Sequence, residues 1–405
     1  MASPTSAESE HVQAPTSTRL SILDLVLISE GDTPADTFQN TFALAESAEQ
    51  FGYERYWLAE HHLYPGGAGS TSYLLIPELA RRTSTLKLGT AVLVIDNYSP
   101  VQVTEIGGTL ATLTGRPIDL GLGRGGPSVE QREKAKETNA KIASGELEVG
   151  PKGAPRVVEG VTLPAFSVLP MRADRAELND QLLSRTPGNP ADFPTQINDV
   201  LSYLEGTATS ATGEAVTVNP AEGSDVTVWV HGSSPGASAA LAGELGLHFG
   251  ANYHSFPQLT LETVQAYRDA FKPSKYLKEP YVVVSADVLV AATAAEAERI
   301  ASPFGPWLYR VRTEYAGQPY LSPEDAAAFP WDDERERIVA DRTASRIVGD
   351  PETVVDRLAA LARATGANEL VITTTAHTHA DRVNSYRLLA EAWERRNESE
   401  RLAAE

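Results

Sequence analysis

Four short stretches carry side chains that could do chemistry. The first is Glu60-His61-His62, which directly follows the strand-like run Arg55-Tyr56-Trp57-Leu58-Ala59. An imidazole titrates near neutrality and can pass protons to and from a reacting group. The same three letters also suit histidines that only decorate a surface. The second stretch is Gly121-Leu122-Gly123-Arg124-Gly125-Gly126. Its glycines let a ligand approach the backbone, and the forked guanidinium of Arg124 suits a phosphate. The spacing satisfies G-x-G-x-x-G, but a dinucleotide-binding turn normally follows the first strand of its fold. Three strand–helix units precede this one, so that reading is set aside. The third stretch is Gly232-Ser233-Ser234-Pro235-Gly236, ahead of a helix. Free backbone N–H groups and two hydroxyls there would cradle a phosphate, unless Ser234 or a neighbour simply caps the helix. The fourth is His377-Thr378-His379. Alternate histidines can grip a metal, but no carboxylate cluster accompanies them, and no metal site is expected.

The elements that must position these groups alternate. Strand patterns run over Leu20–Ile28, Arg55–Ala59, Leu86–Ile95, Ile118–Gly123, Val226–His231, Leu247–Asn252, Tyr281–Ala291 and Glu369–Thr375. Helices are expected over Ala35–Phe51, Thr71–Arg82, Pro100–Leu113, Ala237–Leu245, Asp350–Ala364 and Ala380–Arg395, several of them opened by Asp, Thr or Pro. Eight strands followed by helices predict an α/β fold, a (β/α)8 TIM barrel, with an open doubly wound sheet as the alternative. In a barrel, all four stretches fall at the C-terminal ends of strands, where catalytic groups sit.

Two long stretches break the rhythm, 126–225 after the fourth strand and 302–346 after the seventh. The first holds an amphipathic helix near Pro194–Leu204. The second carries Phe304, Trp307, Tyr309, Tyr315, Tyr320, Phe329 and Trp331. Insertions of this length are commonly lids or binding loops, and the second is expected to close over a substrate. The barrel domain is expected over 19–397, between a disordered tail at 1–18 and a C-terminal tail at 398–405.

The chain has 405 residues, 42% of them hydrophobic, enough for a sizeable core. A formal charge of −20 argues against nucleic acid or an anionic membrane surface as a partner. With no cysteine, disulfides, thiolate metal sites and cysteine nucleophiles are excluded. No apolar run reaches the length of a membrane span, and the first residues do not read as a signal peptide. A cytoplasmic location is the expectation.

Several motifs in order resemble the bacterial luciferase-like flavin-dependent monooxygenases. Tyr56-Trp57-Leu58-Ala59-Glu60-His61-His62 is similar to their second strand, and Leu88-Gly89-Thr90-Ala91-Val92 to their third. Pro100-Val101-Gln102-Val103 with Glu105 is similar to the helix that follows, and Ile118 to Gly125 to their fourth strand. Gly232-Ser233-Ser234 through Leu245-Gly246-Leu247 resembles their phosphate loop, and Val348 to Val354 a late helix start. The resemblance covers nearly everything from Leu20 to Trp393.

It implies the following roles. His61 is the catalytic histidine that supports oxygen activation on the flavin, flanked by Glu60 and His62. Arg124 with Gly125, and Gly232 with the Ser233 and Ser234 backbone, hold the cofactor phosphate. Thr90, Ala91 and Val92 press on the flavin ring, with a cis peptide at Ala91–Val92. Light-emitting members carry cysteine where this chain has Gly123, so light emission is not expected.

The implied activity uses reduced FMN and O2 to oxygenate a small organic substrate lodged among the aromatics of 302–346. A separate flavin reductase and a homodimer or higher homo-oligomer are implied as partners. A deazaflavin-dependent hydride-transfer enzyme of the same superfamily, a non-catalytic flavin-binding protein, and a metal hydrolase built on His61, His62, His377 and His379 are the alternatives.

Overall fold

A computed structural model describes residues 18–183, 192–314 and 317–404. The expected N-terminal tail, apart from Thr18, and Tyr315 lie outside the described residues.

All eight expected strands form. They are β1 (Arg19–Asp24), β2 (Arg55–Leu58), β3 (Lys87–Val94), β4 (Ile118–Gly123), β5 (Val226–Gly232), β6 (His248–Asn252), β7 (Val282–Val290) and β8 (Glu369–Thr373). Each is parallel to its sequence neighbour, and β8 pairs with β1, for example Leu20 with Leu370. The sheet therefore closes into an eight-stranded barrel and leaves no edge.

Helix starts follow the local chemistry. Thr33 and Asp36 form a capping box ahead of the helix Pro34–Gln50, and Ser99 with Gln102 does the same for Pro100–Thr114. Asp350 caps Pro351–Thr365 by accepting from the Thr353 N–H at 3.1 Å.

The barrel interior is a packed floor. Trp57 and Trp229 meet edge-on with ring centres 4.9 Å apart. Asp119 accepts from both indoles at 3.0 Å and from Arg55 at 2.7 Å. Arg55 also donates to both oxygens of Glu369 at 3.0 Å. Each buried charge thus has a partner, as a low-dielectric interior requires.

The insertions carry more structure than their sequence suggests. In 126–225 a helix spans Val129–Ala143, and two short antiparallel pairings join Gly150–Pro151 to Ser167–Val168 and Arg156–Val158 to Val161–Leu163. Helices Ala173–Leu182 and Phe193–Glu205 follow, the latter burying Phe193, Ile197, Val200 and Leu201. In 302–346 three helices form, Phe304–Thr313, Pro323–Ala327 and Asp333–Ser345. The short strand Ile347–Gly349 then pairs with the end of β7.

The aromatics of this second insertion build a satellite core. Phe304, Trp307 and Tyr320 pack with Leu308, Ile338 and Val339. Tyr320 is tied to the extension of β1 through backbone hydrogen bonds with Ile28 and Glu30. A correction falls at the C-terminus. Residues 398–404, expected as a tail, continue the last helix, which spans His379–Ala404.

Candidate active site at the barrel mouth

Above the tryptophan floor the strand ends open into a cavity of about 670 Å³, counting its mouth. Trp57, Ala59, Glu60, His61, Ala91, Val92, His231, Asn252, His254 and Ser285 are among its walls. It runs into a wider cleft lined by Gly123, Arg124, Gly232, Ser233 and Ser234, the two sharing Val92, His231, Asn252 and Phe256.

His61 follows β2 and opens onto the cavity. The ring is open to solvent at the mouth, and partial desolvation against the cavity wall lowers its pKa, with the Glu60 charge opposing the shift. Glu60 is fixed from several sides. Its Oε1 lies 2.8 Å from His62 Nε2 and accepts from Asn97 Nδ2 at 2.7 Å, and its Oε2 lies 3.4 Å from the Val94 N–H. His62 therefore serves the carboxylate and is not one of the cavity's lining residues.

The Ala91–Val92 peptide is cis, as the resemblance implied. Gly123 leaves room beside it, since a Cβ there would come within 2.9 Å of Val92 Cγ2. The cleft at Arg124 is built for an anion. Arg124 is half-buried, and opposite it the helix Ala237–Glu244 starts at Gly236 with no side-chain cap. The capping alternative for Ser234 therefore fails, and the first backbone N–H groups of this helix stay open to a ligand.

The luciferase-like monooxygenase family profile matches residues 18–144 and 197–369. The chain belongs to that family.

A luciferase-like monooxygenase of Escherichia coli (strain K12) is 31% identical over 368 residues, covering 91% of this chain and 95% of that protein. The Bacillus subtilis (strain 168) protein YvbT is 33% identical over 381 residues, covering 94% and 98%. Among solved structures, apo-MsnO8 is similar with a TM-score of 0.73 and 28% identity, covering 93% and 98%. The oxygenating constituent of 3,6-diketocamphane monooxygenase from Pseudomonas putida, in complex with FMN, shares the fold with a TM-score of 0.58 and 18% identity, covering 93% and 97%. The stretch between the two matched segments, 145–196, lies inside the insertion after β4.

Within this luciferase-like barrel most of the expected residues meet at one place, and three sit differently. Thr90 is buried, and its hydroxyl donates to the Gly121 carbonyl at 3.2 Å, so it backs the wall without lining it. The Gly125 N–H is taken by Asp96 Oδ2 at 2.8 Å, which anchors the loop and removes that donor from any phosphate. His62 serves Glu60. The expected lodging among aromatics is also corrected. Among the described residues, no aromatic of 302–346 lines either part of the cleft, and Phe304, Trp307 and Tyr320 are spent on a core of their own. His377 and His379 border a different cavity beside β1 and β8, and His377 lies 3.0 Å from the Glu30 carbonyl. Among the described residues no three His, Asp or Glu side chains gather as a metal site.

Two imidazoles were missed. His231, at the end of β5, lies on the cavity floor edge-on to Trp57 with ring centres 5.6 Å apart. Its Nε2 is sealed from solvent and lacks a partner. Burial pushes its pKa down to about 4. His254, just past β6, holds Ser285 Oγ at 2.6 Å through Nδ1. Burial first, then the Arg342, His61 and His231 charges, press its pKa down to about 3. The one hint in sequence is the pair Gly121 and Gly250, which leave space on either side of the His231 ring.

Proposed function

We propose that this protein is a monooxygenase that uses reduced FMN and O2 to oxygenate a small organic molecule. The observation that carries the reading is the joint between two spaces: a ring-sized cavity walled by His61, Ala91, Val92 and His231 runs straight into a cleft with Arg124 and an uncapped helix N-terminus. A flat heterocycle joined through a short chain to one phosphate matches that shape. The orphaned His231 Nε2 and the space kept open beside Gly123 fit the same group.

Arg124, the Gly232-Ser233-Ser234 backbone and the helix start at Ala237 would hold the phosphate. Ala91, Val92 and Gly123 would bound one face of the ring, and His231 would offer a polar contact to its edge. When bound, reduced FMN supplies the two electrons with which O2 delivers one oxygen atom to the substrate and the other to water. His61, whose lowered pKa favours the neutral ring, can accept or return a proton at the cavity. The tryptophan floor keeps water from entering beneath the site. In this reading a separate flavin reductase supplies reduced FMN, and the chain assembles as a homo-oligomer.

Equilibrium titration with FMN, FAD, riboflavin and the deazaflavin F420, followed by rapid mixing of the reduced FMN complex with O2, tests the reading. Tightest binding of FMN and oxidation of the bound reduced form by O2 are expected. Preference for F420, or riboflavin binding as tightly as FMN, overturns it.

A further inference from the structure

The first insertion builds one wall of the cleft. On the helix Val129–Ala143, Gln131, Lys134, Ala135 and Thr138 fall at i, i+3, i+4 and i+7, the spacing of one helix face, and all four line the cleft. Ser167, Val168, Leu169 and Met171 continue that wall. The two parts are fastened together. Asn139 Nδ2 donates to the Met171 carbonyl at 2.8 Å, and Asn139 Oδ1 accepts from the Met171 N–H at 3.1 Å. Ser167 is held in the short antiparallel pairing with Pro151. Residues 145–196, which supply Ser167 to Met171, lie outside the matched segments of the family profile. This half of the wall is therefore an addition to the common barrel.

The cleft carries charge of one sign. Arg124 and Lys134 line it, and no Asp or Glu does among the described residues, although the chain has 54 acidic residues against 34 basic. A cleft of one sign draws ligands of the other. The nearest cations on the same helix are already paired, Arg132 with Asp180 and Lys136 with Glu133 at 2.9 Å and Glu177 at 3.0 Å. Lys134 has no ion pair among the described residues. Ser167 Oγ, on the same wall, makes no hydrogen bond. Met171 and Phe256 add apolar surface to the cleft, and they are 38% and 55% exposed. The cleft also exceeds what one phosphate fills. Counting its mouth it measures about 2150 Å³, where a pocket for one drug-sized ligand takes about 300–1,000 Å³. Arg124 and the uncapped helix start stand on the barrel side and are claimed by the phosphate. Lys134 stands on the insertion side as a single ammonium, a point charge that suits a carboxylate. The cavity beside His61 offers an anion no such anchor, since Glu60 is the only Asp, Glu, Lys or Arg among its lining residues.

We propose that the wall built by the first insertion is the substrate subsite, where Lys134 anchors the carboxylate of a small organic acid whose apolar body lies along Val168, Leu169 and Met171 and reaches the cavity past Phe256. An amphipathic organic acid is thereby the substrate class. This inference rests on the flavin reading of the adjoining cavity, which sets where the oxygenated end must lie.

The test uses the full chain, saturated with FMN and free of it, and two probes of equal chain length, octanoate and octan-1-ol. Calorimetric titration of the FMN-bound parent should show octanoate binding about fivefold more tightly at about 20 mM salt, with the preference shrinking at about 500 mM, as an ion pair partly open to water requires. Lys134→Gln should abolish the preference and Lys134→Arg should keep it. Met171→Ser should weaken both probes in equal proportion. FMN affinity should stay within about threefold in each variant, as for sites that share no partner. Lys134 is exposed on its helix, so Lys134→Gln should melt within about two degrees of the parent. Equal or undetectable binding of the two probes by the parent overturns the proposal, as does a preference that survives in Lys134→Gln or probe binding untouched by Met171→Ser. A large loss of FMN affinity in Lys134→Gln, with riboflavin affinity unchanged, assigns Lys134 to the cofactor phosphate and also overturns it. If the protein fails to bind FMN but the FMN-free chain keeps the Lys134-dependent preference, the flavin reading fails and the acid site stands.

Discussion

The imidazole of His231 occupies the space that a side chain on Gly250 would need: a Cβ on Gly250 would come within 2.5 Å of ring atom Cε1. The ring is confined on the other side by Gly121, whose Cβ would meet Nε2 at 3.1 Å. Glycines on the two strands flanking β5 therefore hold this histidine edge-on to Trp57. Gly250→Ala should push the ring upward into the cavity. Overpacking of a tight interior costs about 1–3 kcal/mol, so melting temperature should fall by several degrees. FMN affinity should drop at least tenfold, because the displaced ring intrudes on the space proposed for the flavin. Thermal unfolding and FMN titration check both parts, and an unchanged affinity would move the ring site elsewhere.

Stability should depend on pH through the buried imidazoles. His231 and His248 are pushed down to about 4 and His254 to about 3, in each case mainly by burial. Unfolded, each returns to about 6.5. Below that value the unfolded chain binds protons that the folded chain refuses. The stability these groups contribute is therefore intact above about pH 7 and declines as pH falls through 6 towards 4. Urea melts across that range should show it, with proton uptake on unfolding. His254→Gln should flatten the decline; an equal slope in that variant would show that His254 is already protonated in the folded protein.

Arg124→Ala should weaken FMN binding about tenfold to a hundredfold, as loss of a charge-assisted hydrogen bond predicts. Riboflavin, which lacks the phosphate, should bind the parent and the variant alike. A variant that loses riboflavin and FMN affinity in equal proportion would show that Arg124 shapes the cleft without touching the phosphate.

How much was legible follows from which forces act locally. The strand Ile118–Gly123 reads directly, because each of its residues is buried in the barrel and turn residues flank it. The helix Val129–Ala143 does not, since only Arg132 and Ala135 of its fifteen residues are buried and no apolar stripe marks it. Its one sequence signal is the capping box of Ser128 and Gln131. The aromatics of 302–346 suggest a binding wall, but composition cannot tell a wall from a small core, and Trp307 and Tyr320 belong to the core. At the site, Glu60-His61-His62 is readable as a contiguous motif. His231 and His254 lie on different strand ends and meet because β5 and β6 pair side by side, so no spacing announces them.

His61→Ala should leave FMN affinity within about threefold and lower substrate oxygenation about 10²–10⁴-fold, the usual contribution of a positioned proton-transfer group. The affinity should survive because the phosphate anchor, Arg124 with the Ser233-Ser234 backbone, lies in the adjoining cleft and His61 does not line it. The rate should fall because His61 is the imidazole at the cavity that Glu60 and its partners, His62 and Asn97, flank without blocking. Its lowered pKa favours the neutral ring that takes a proton. The pH profile separates this role from simple packing. The parent rate should fall on the acid side as His61 gains its proton, at a pH below the ordinary imidazole value, and that limb should vanish in the alanine variant. His254 and His231 remain as other bases, so a residual rate that still shows the parent's acid limb would pass the role to one of them. A variant that oxygenates at the parent rate but melts several degrees lower would make His61 a packing residue at the end of β2.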